Sequence, residues 1–298
     1  MPIIKSFAVG NGDMYYIRHY SKNFSIIDCS LPDDRAGSIL ADIESRISED
    51  DITRFISTHP DQDHIGGLVE LDNALGILNF YCVENKAIKT VETEDFKRYC
   101  SLRDDVKKVF HLEKGCSRRW MNKSSEERKE SGLQILWPDT ANNEYMVALA
   151  GAENGDSPNN ISCILQHTVI DGPRTLWMGD LETDFMESIE DSVDIPKVDV
   201  LFAPHHGRKS GRVPKAWLDK MEPGLIVVGE APSEHLHYYR DYNTLTQNSC
   251  GDIQFVTDTR KVHIYVADHA YDVNFLEDEG RDICDGLYYL GTLPCHER

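Results

Sequence analysis

Two histidines and two aspartates stand within six positions of the sequence, in the string Thr-His-Pro-Asp-Gln-Asp-His-Ile-Gly-Gly. They are His59, Asp61, Asp63 and His64, and they come directly after the apolar run 52–56. Imidazole and carboxylate groups suit divalent ions such as zinc, manganese and iron. An acidic, solvated loop explains any one of these residues but accounts poorly for all four together. The motif therefore predicts a divalent metal site where a strand ends.

The apolar runs around this motif predict the elements that position it. Short β-branched or aromatic runs, bounded by Gly, Pro, Asn or Asp, occur in both halves of the chain, with helical spacing between them. Two such clusters predict an α/β fold in which two sheets pack face to face and helices cover them outside, an αββα sandwich. We expect this domain to span residues 1–270, with an acidic tail or hairpin at 271–298.

Residues 84–131 differ in character from the rest of the chain. The segment is charged and sparsely apolar, with helix-like stretches at 93–109 and 124–131, and we expect a charged helical insertion over the metal site. It holds 13 Lys and Arg against 10 Asp and Glu, whereas the whole chain has a formal charge of −20. Phosphate binding depends on Lys and Arg. A nucleic acid or other polyanion is therefore expected to meet the protein at this segment.

Length and composition limit the class of protein. The chain has 298 residues, no run of about 18 apolar residues and no secretory-type start, so we expect a soluble, cytoplasmic protein without a membrane partner. Its eight cysteines are spread without a CxxC pair, which indicates reduced thiols. The acidic surplus excludes a protein whose whole surface binds nucleic acid, and it leaves room for a basic protein partner.

Further ligand-type residues stand next to predicted strands. They are Asp180 in Met-Gly-Asp, His205 and His206 in Ala-Pro-His-His-Gly, and Asn159 and Asn160 in Ser-Pro-Asn-Asn-Ile-Ser. Alone, these stretches also fit a helix cap, a surface loop and a turn. Asp28, at the end of a buried strand, is a cap, a turn residue or a hydrogen-bond acceptor for a metal ligand. Together with the first motif they predict ligands that converge on one edge of the sandwich.

In this order, the motifs resemble the metallo-β-lactamase superfamily, whose HxHxDH loop corresponds to the string at 59–64. The sequence is most similar to the ComEC-like subgroup, named after the hydrolase domain of a DNA-uptake protein. The shared motifs span roughly residues 3–230 and include Val-Gly-Asn-Gly-Asp at 9–13 and Pro-His-His-Gly at 204–207. The resemblance implies a metal-dependent hydrolase that lacks the membrane channel of ComEC and stands alone.

The resemblance also implies two divalent ions, zinc or manganese, with magnesium as a further candidate. One ion would be held by Asp63, His64 and one histidine of the pair His205 and His206, with Asp180 bridging to the other. By its position before glycine, His206 fits the superfamily ligand better than His205 does.

The other ion would be held by His59 and Asp61. The usual third histidine of that site is replaced here by Asn159 and Asn160, as in the ComEC-like subgroup. The amide oxygen of asparagine is a weaker metal ligand than the imidazole nitrogen of histidine. We therefore expect this ion to bind more loosely, or the site to prefer manganese or magnesium.

Two metal ions supply a nucleophile at neutral pH and polarise the electrophile, which suits displacement at phosphorus. Asp61 or Asp63 would orient the nucleophile. His235 or His237 would protonate the leaving group, although the proline that follows this histidine in the family is missing and a surface loop explains both equally simply.

Three functions follow as hypotheses. The first is a two-metal phosphodiesterase or nuclease acting on DNA or RNA, with Arg208 and Lys209 as candidate phosphate clamps. The second is a hydrolase of a small molecule such as a cyclic nucleotide, lactone or thioester, which the charge of −20 favours. The third is a partner-binding subunit with a weakened metal site. The missing export signal and the HxDxDH loop make a β-lactamase a poor interpretation of the sequence.

Overall fold

The computed structural model describes residues 1–297, which form two β-sheets with helices around them. The strands β1 to β15 are, in chain order, Ile3–Ser6, Tyr15–Arg18, Asn23–Ile27, Ile52–Ile56, Phe80–Cys82, Val109–His111, Leu133–Trp137, Ile164–Thr168, Arg174–Trp177, Val200–Phe202, Leu225–Val228, Thr244–Thr246, Ile253–Asp258, Lys261–Val266 and Tyr288–Pro294. The helices α1 to α8 are Ala36–Arg46, Gln62–Ile65, Leu68–Leu75, Glu94–Asp104, Asn143–Glu153, Thr183–Ser188, Lys215–Met221 and Gln247–Cys250.

The two sheets have nine and six strands. The larger has the order β15-β14-β13-β1-β2-β3-β4-β5-β6, and the smaller has the order β12-β11-β10-β9-β8-β7. Strands β3 to β6 run parallel in the first sheet, and β9 to β12 run parallel in the second. Strand β3 is buried over its whole length, as expected of a parallel strand that is covered on both faces.

The inner faces of the sheets pack on each other through aromatic side chains. Tyr15 of the larger sheet lies 4.8 Å, between ring centroids, from Phe202 and 6.1 Å from Trp177, both of the smaller sheet. The outer face of the larger sheet packs against α1, α3 and α4, for example through Phe55 and Ile39. The predicted α/β sandwich with helices outside is confirmed.

Residues 84–131 are not a helical insertion throughout. Helix α4 lies within the predicted stretch 93–109, but the chain then adds β6 to the edge of the larger sheet. The helix predicted at 124–131 is absent from the described structure. Lys129 there has a φ of +58°, in the left-handed region that interrupts a right-handed helix.

The same segment is divided between the two ends of the sandwich. Thr93, next to α4, donates a hydrogen bond of 2.7 Å to Gln62 in the metal motif. Arg128, by contrast, accepts a hydrogen bond from Asn23 at the start of β3 and contacts the carbonyl of Asp50 before β4. Only the first part of the segment therefore lies beside the metal motif, and the expectation that all of it covers the site is wrong.

The last strand lies within the predicted tail 271–298. Strand β15 pairs antiparallel with β14 at the edge of the larger sheet, with a register shift at Ile264 and Tyr265. Within residues 1–297, the helices are too short or too polar for any of them to cross a lipid bilayer.

Candidate metal centre

Four buried side chains meet at one end of the sandwich. Asp13, His64, Asp180 and His206 each offer a ligand atom, and these atoms all lie within 4.8 Å of one another. Asp180 follows β9 and His206 follows β10, which pair in parallel and therefore end at the same edge. His64 lies in α2, just after β4, and Asp13 just before β2.

Two glycines allow these loops to approach each other. A Cβ atom on Gly179, whose φ is +51°, would lie 2.7 Å from the Ser162 hydroxyl, which accepts the backbone N–H of Asp180 at 3.0 Å. A Cβ atom on Gly12 would lie 2.7 Å from the carbonyl of Asp63. A side chain at either position would push the loops apart.

Asp28 fixes the orientation of the His64 ring. Its carboxylate accepts the Nδ1–H of His64 at 2.8 Å, together with the backbone N–H and the hydroxyl of Thr58 at 2.7 and 2.6 Å. This contact at Nδ1 directs the other ring nitrogen, Nε2, away from Asp28. Nε2 lies 2.9 Å from Asp180 Oδ1. A carboxylate that orients the ring of a metal-binding histidine in this way is a recurrent feature of metal sites.

His206 joins the two other carboxylates of the centre. Its Nδ1 lies 3.2 Å from Asp13 Oδ1, and its Nε2 lies 3.3 Å from Asp63 Oδ2. Both His205 and His206 have positive φ values, of +52° and +55°. This conformation is costly for residues other than glycine, and in it both Nε2 atoms lie 3.7 Å from Asp180 Oδ2.

Charge pairing shifts the pKa values of these groups strongly. Burial lowers the pKa of His206, but the carboxylates of Asp13 and Asp63 outweigh burial and raise it to about 10. His64 shows the same balance: burial lowers its pKa, and Asp180 and Asp28 together raise it well above the usual value. Burial would raise the pKa of Asp180, yet the neighbouring imidazoles hold it well below the usual range.

The donor set fits a divalent cation. Four carboxylates, those of Asp13, Asp28, Asp63 and Asp180, contact two imidazoles, so even two protonated rings leave two negative charges uncompensated. Buried charge of this kind requires a counter-ion. In addition, His64 Nε2 and Asp180 Oδ1 are buried without a hydrogen-bond partner, although they are only 2.9 Å apart. A cation or a proton between the two atoms gives both of them a partner.

A second group of unpartnered atoms adjoins the centre. His59 is buried, its ring lies 4.2 Å from that of His64, and its Nε2 has no hydrogen-bond partner. Burial, followed by the charge of His64, lowers the pKa of His59 to about 3. Asn159 Oδ1 is likewise buried without a partner, and His205 Nε2 lies 3.7 Å from Asp180 Oδ2. These groups are the candidates for a second ion.

Two of the predicted ligands are engaged elsewhere. Asp61 caps α2 by accepting the backbone N–H of Gln62 at 3.0 Å, and it forms an ion pair of 2.7 Å with Lys89. Asn160 uses both amide atoms on Glu182, at 3.0 and 3.1 Å. Asp61 makes both contacts through Oδ1, and Asn160 has both amide atoms paired, and neither residue belongs to the four-residue cluster.

The histidines predicted to protonate a leaving group lie on a separate turn. His235 contacts the Tyr238 hydroxyl at 3.3 Å, and the His237 ring lies 4.4 Å from the ring of Tyr238. The turn begins close to the centre, since Glu230 accepts the backbone N–H of Gly10 in the loop that carries Asp13. Among the contacts of residues 1–297, none joins either histidine to the four-residue cluster.

Asp13 is the ligand-type residue that sequence reasoning missed. It stands in the motif Val-Gly-Asn-Gly-Asp, which belongs to the resemblance but to which no ligand is assigned there, and burial and its contact with His206 identify it as part of the centre. The available signal was an aspartate directly after a glycine turn, the same arrangement as in Met-Gly-Asp at 178–180.

Comparisons with known proteins agree with this architecture. Residues 8–118 match the family model of the metallo-beta-lactamase superfamily, a segment that includes Asp13 and the motif at 59–64. The chain is therefore similar to the metallo-beta-lactamase superfamily over this segment, which holds strands β2 to β6 and two residues of the candidate metal centre, Asp13 and His64.

Solved structures similar to the chain are distant from it in sequence. Igni18, described as a novel metallo hydrolase from the hyperthermophilic archaeon Ignicoccus hospitalis, is 14% identical with a TM-score of 0.48, over 85% of this chain and 99% of that chain. A metallo-beta-lactamase from Cronobacter sakazakii with a HARLDQ motif is 14% identical with a TM-score of 0.40, over 72% and 84%. No curated protein matches the sequence.

Proposed function

We propose that the protein is a metal-dependent phosphodiesterase of the ComEC-like kind. The observation that carries the proposal is the oxygen-rich donor set, in which Asp13, Asp63 and Asp180 accompany His64 and His206. Carboxylate oxygens favour hard divalent ions, which bind phosphate oxygens readily. Such an ion, when bound, activates water and offsets the charge that develops on a phosphoryl group.

Cationic side chains on two sides of the centre support an anionic substrate. Lys89 pairs with Asp61, two positions before Asp63, and its side chain is 23% exposed. Arg208 follows His206 by two positions and contacts the side chain of Asn11, beside Asp13. In this proposal both groups bind non-bridging phosphate oxygens, where charge-assisted hydrogen bonds are strong.

The chain also offers proton donors for the leaving alkoxide. His235 and His237 lie on the turn that starts beside the Asp13 loop, and either ring acts as the donor if substrate draws this turn inward. Asp63 is 25% exposed in its side chain and contacts His206 at 3.3 Å, and in this proposal its carboxylate orients the attacking water.

A second candidate is a hydrolase of a small phosphodiester such as a cyclic nucleotide. Two observations favour it over a nuclease. The basic residues around Arg128 lie at the end of the sandwich remote from the centre, and the whole chain carries −20. Long polyanions gain affinity mainly from many cationic contacts, which this surface does not concentrate near the site.

The test compares four substrates on protein loaded with manganese, zinc or magnesium. These are bis(p-nitrophenyl) phosphate, a cyclic dinucleotide, a single-stranded DNA oligonucleotide and the matching RNA. We expect hydrolysis that is lost on chelation and in Asp180→Asn, with oligonucleotide turnover indicating a nuclease and turnover of the dinucleotide alone indicating the second candidate. Intact phosphodiesters with every metal, in protein with full metal content, would reject both.

A further inference from the structure

A cavity of about 750 Å³ opens at the end of the sandwich opposite the metal centre. The parallel strands β3 and β4 begin at this end and carry the metal ligands or their supports at the other. The lining includes His19 just after β2, His167 near the end of β8, and Thr257 near the end of β13. A volume of this size is typical of sites for small organic ligands.

The mouth of the cavity is apolar and unusually exposed. Met1, Tyr20 and Ile170 line it and are 61%, 81% and 82% exposed, which places them among the most exposed large apolar residues described. Apolar side chains gathered around a concave opening commonly mark a binding site. The mouth therefore offers a surface for the apolar body of a ligand.

The floor, by contrast, contains two buried and incompletely paired imidazoles. His19 and His167 are 6% and 3% exposed, and their rings lie 5.1 Å apart in an edge-to-face arrangement. The Nδ1 atom of each ring is buried without a hydrogen-bond partner. The backbone of Ser131 lies close enough to affect the pKa of both rings, but it completes a hydrogen bond with neither Nδ1.

A buried positive charge stands behind His19. Arg54 is 1% exposed, and its guanidinium donates hydrogen bonds to Ser25 Oγ at 3.1 Å, Asn23 Oδ1 at 2.6 Å and the Trp120 carbonyl at 3.4 Å. All three acceptors are neutral, and among residues 1–297 no carboxylate forms an ion pair with Arg54. A buried charge without a counter-charge is expensive, and a bound anion offsets that cost.

The hydrogen bonds of Ser25 indicate which buried nitrogen of His19 can donate to a ligand. Arginine only donates, so the Ser25 hydroxyl accepts from Arg54, and its own proton is available to His19 Nε2, 2.9 Å away. A neutral His19 then carries its proton on Nδ1, the atom without a partner. The floor thus presents an N–H donor that is backed by a guanidinium charge.

We propose that this cavity is a second ligand site, which binds a small organic carboxylate with its anionic group on His19 and its apolar body against Tyr20 and Ile170. Three charged residues also line the opening, namely Lys129, Glu130 and Asp258. They are exposed or half-buried, so water screens them more than it screens Arg54. The site is independent of the proposed metal chemistry, because it shares no residue with it.

Calorimetric titration with benzoate, benzamide and inorganic phosphate tests the chemistry of the ligand. Benzoate and benzamide have the same apolar ring, but only benzoate carries a charge. We expect saturable binding of benzoate and at least about tenfold weaker binding of benzamide, as for loss of a charged hydrogen-bond partner. Phosphate should bind more weakly than benzoate because it cannot use the apolar mouth. No saturable binding of benzoate, or equal binding of benzamide, would overturn the proposal.

Two variants then locate the site. His19→Phe keeps an aromatic ring but removes the donor, and Ile170→Glu places a negative charge at the mouth; each should weaken benzoate binding about tenfold or more. The matched control is Val106→Glu, since Val106 is 87% exposed and does not line the cavity. Ile170→Glu alters an exposed side chain and should fold normally, so it remains informative if His19→Phe does not fold. Unchanged benzoate affinity in folded Ile170→Glu would place the binding elsewhere.

Discussion

Both ends of the sandwich bury histidines, but the neighbours of these histidines differ in charge between the two ends. At the metal end, His64 and His206 face carboxylates on more than one side, which outweigh burial and raise their pKa values. At the far end, burial lowers the pKa of His19 well below its usual value and that of His167 to about 4, and no carboxylate opposes it.

This difference indicates which sign of ligand each end can accept. The metal end has surplus negative charge and imidazole nitrogens that face carboxylates, so it lacks a cation. The far end has Arg54 without a carboxylate partner and two buried imidazole Nδ1 atoms without a hydrogen-bond partner, so it lacks an anion. Buried histidines therefore fit a cation site at one end and an anion site at the other, according to the charge of their neighbours.

The largest expected effect is at the metal end. Asp180→Asn removes the carboxylate that faces His64, His205 and His206, so we expect loss of bound metal and a fall in hydrolysis on the order of 10³-fold. Metal content by elemental analysis and turnover of bis(p-nitrophenyl) phosphate measure the two effects. Asp184→Asn, on the exposed side of α6, is the matched control and should retain both. Full metal content in Asp180→Asn would contradict the assignment.

The far end should make the fold sensitive to acid. An unfolded imidazole has a pKa near 6.5, whereas burial lowers that of His167 to about 4, so the unfolded chain binds the proton first as the pH falls. This contribution to stability is present above pH 6.5 and is lost between pH 6.5 and 4, by roughly 3 kcal/mol. Urea unfolding at about pH 7 and pH 4.5 measures it.

The comparison variants for acid sensitivity are His167→Phe and His269→Phe. The first removes a buried imidazole and should reduce the loss of unfolding free energy between the two pH values. The second changes an exposed ring, 76% exposed in its side chain, and should behave as wild type. Equal pH dependence in all three proteins would mean that His167 is not buried in its neutral form.

The part of the candidate site that the sequence could indicate is the part in which ligand-type residues are adjacent in the chain. His59 to His64 and the pair His205 and His206 are short strings after apolar runs, and parallel strands bring such strand ends together without further information. The sequence could not indicate the ion pair of Asp61 with Lys89, because Lys89 is 28 positions away and gives no local signal. It also failed for Asp13, whose role depends on contact with His206.

The far-end cavity was beyond prediction for the same reason. The polar groups of its floor and of the network behind it come from His19, Ser25, Arg54 and His167, which lie in four different strands or their ends. One signal was present: Arg54 stands in the apolar run of β4 in the same alternation as Ile56, which faces the core between the sheets. A charge at an inward position of a strand indicates a buried polar network, although it does not reveal the network's members.

A smaller effect is expected from Asp28, which contacts His64 but does not belong to the four-residue cluster. Asp28→Asn weakens the acceptor that orients the ring, so we expect metal affinity to fall roughly 10- to 100-fold with the site otherwise retained. Competition with a chelator measures this affinity. Metal affinity equal to that of the wild type would show that packing alone orients His64. The two ends would then differ in the charge around their histidines but not in how the rings are oriented.

The smallest effect concerns Lys89, which tests whether the metal end also binds an anionic substrate. Lys89→Met leaves the four-residue cluster intact, so metal content should not change, while kcat/KM for a phosphodiester should fall about tenfold. Lys86→Met is the matched control, because Lys86 pairs with Asp104 at 2.8 Å and not with the metal motif. If the two variants lose activity equally, Lys89 acts only through general surface charge. If Lys89→Met instead loses metal, its ion pair with Asp61 supports the centre structurally.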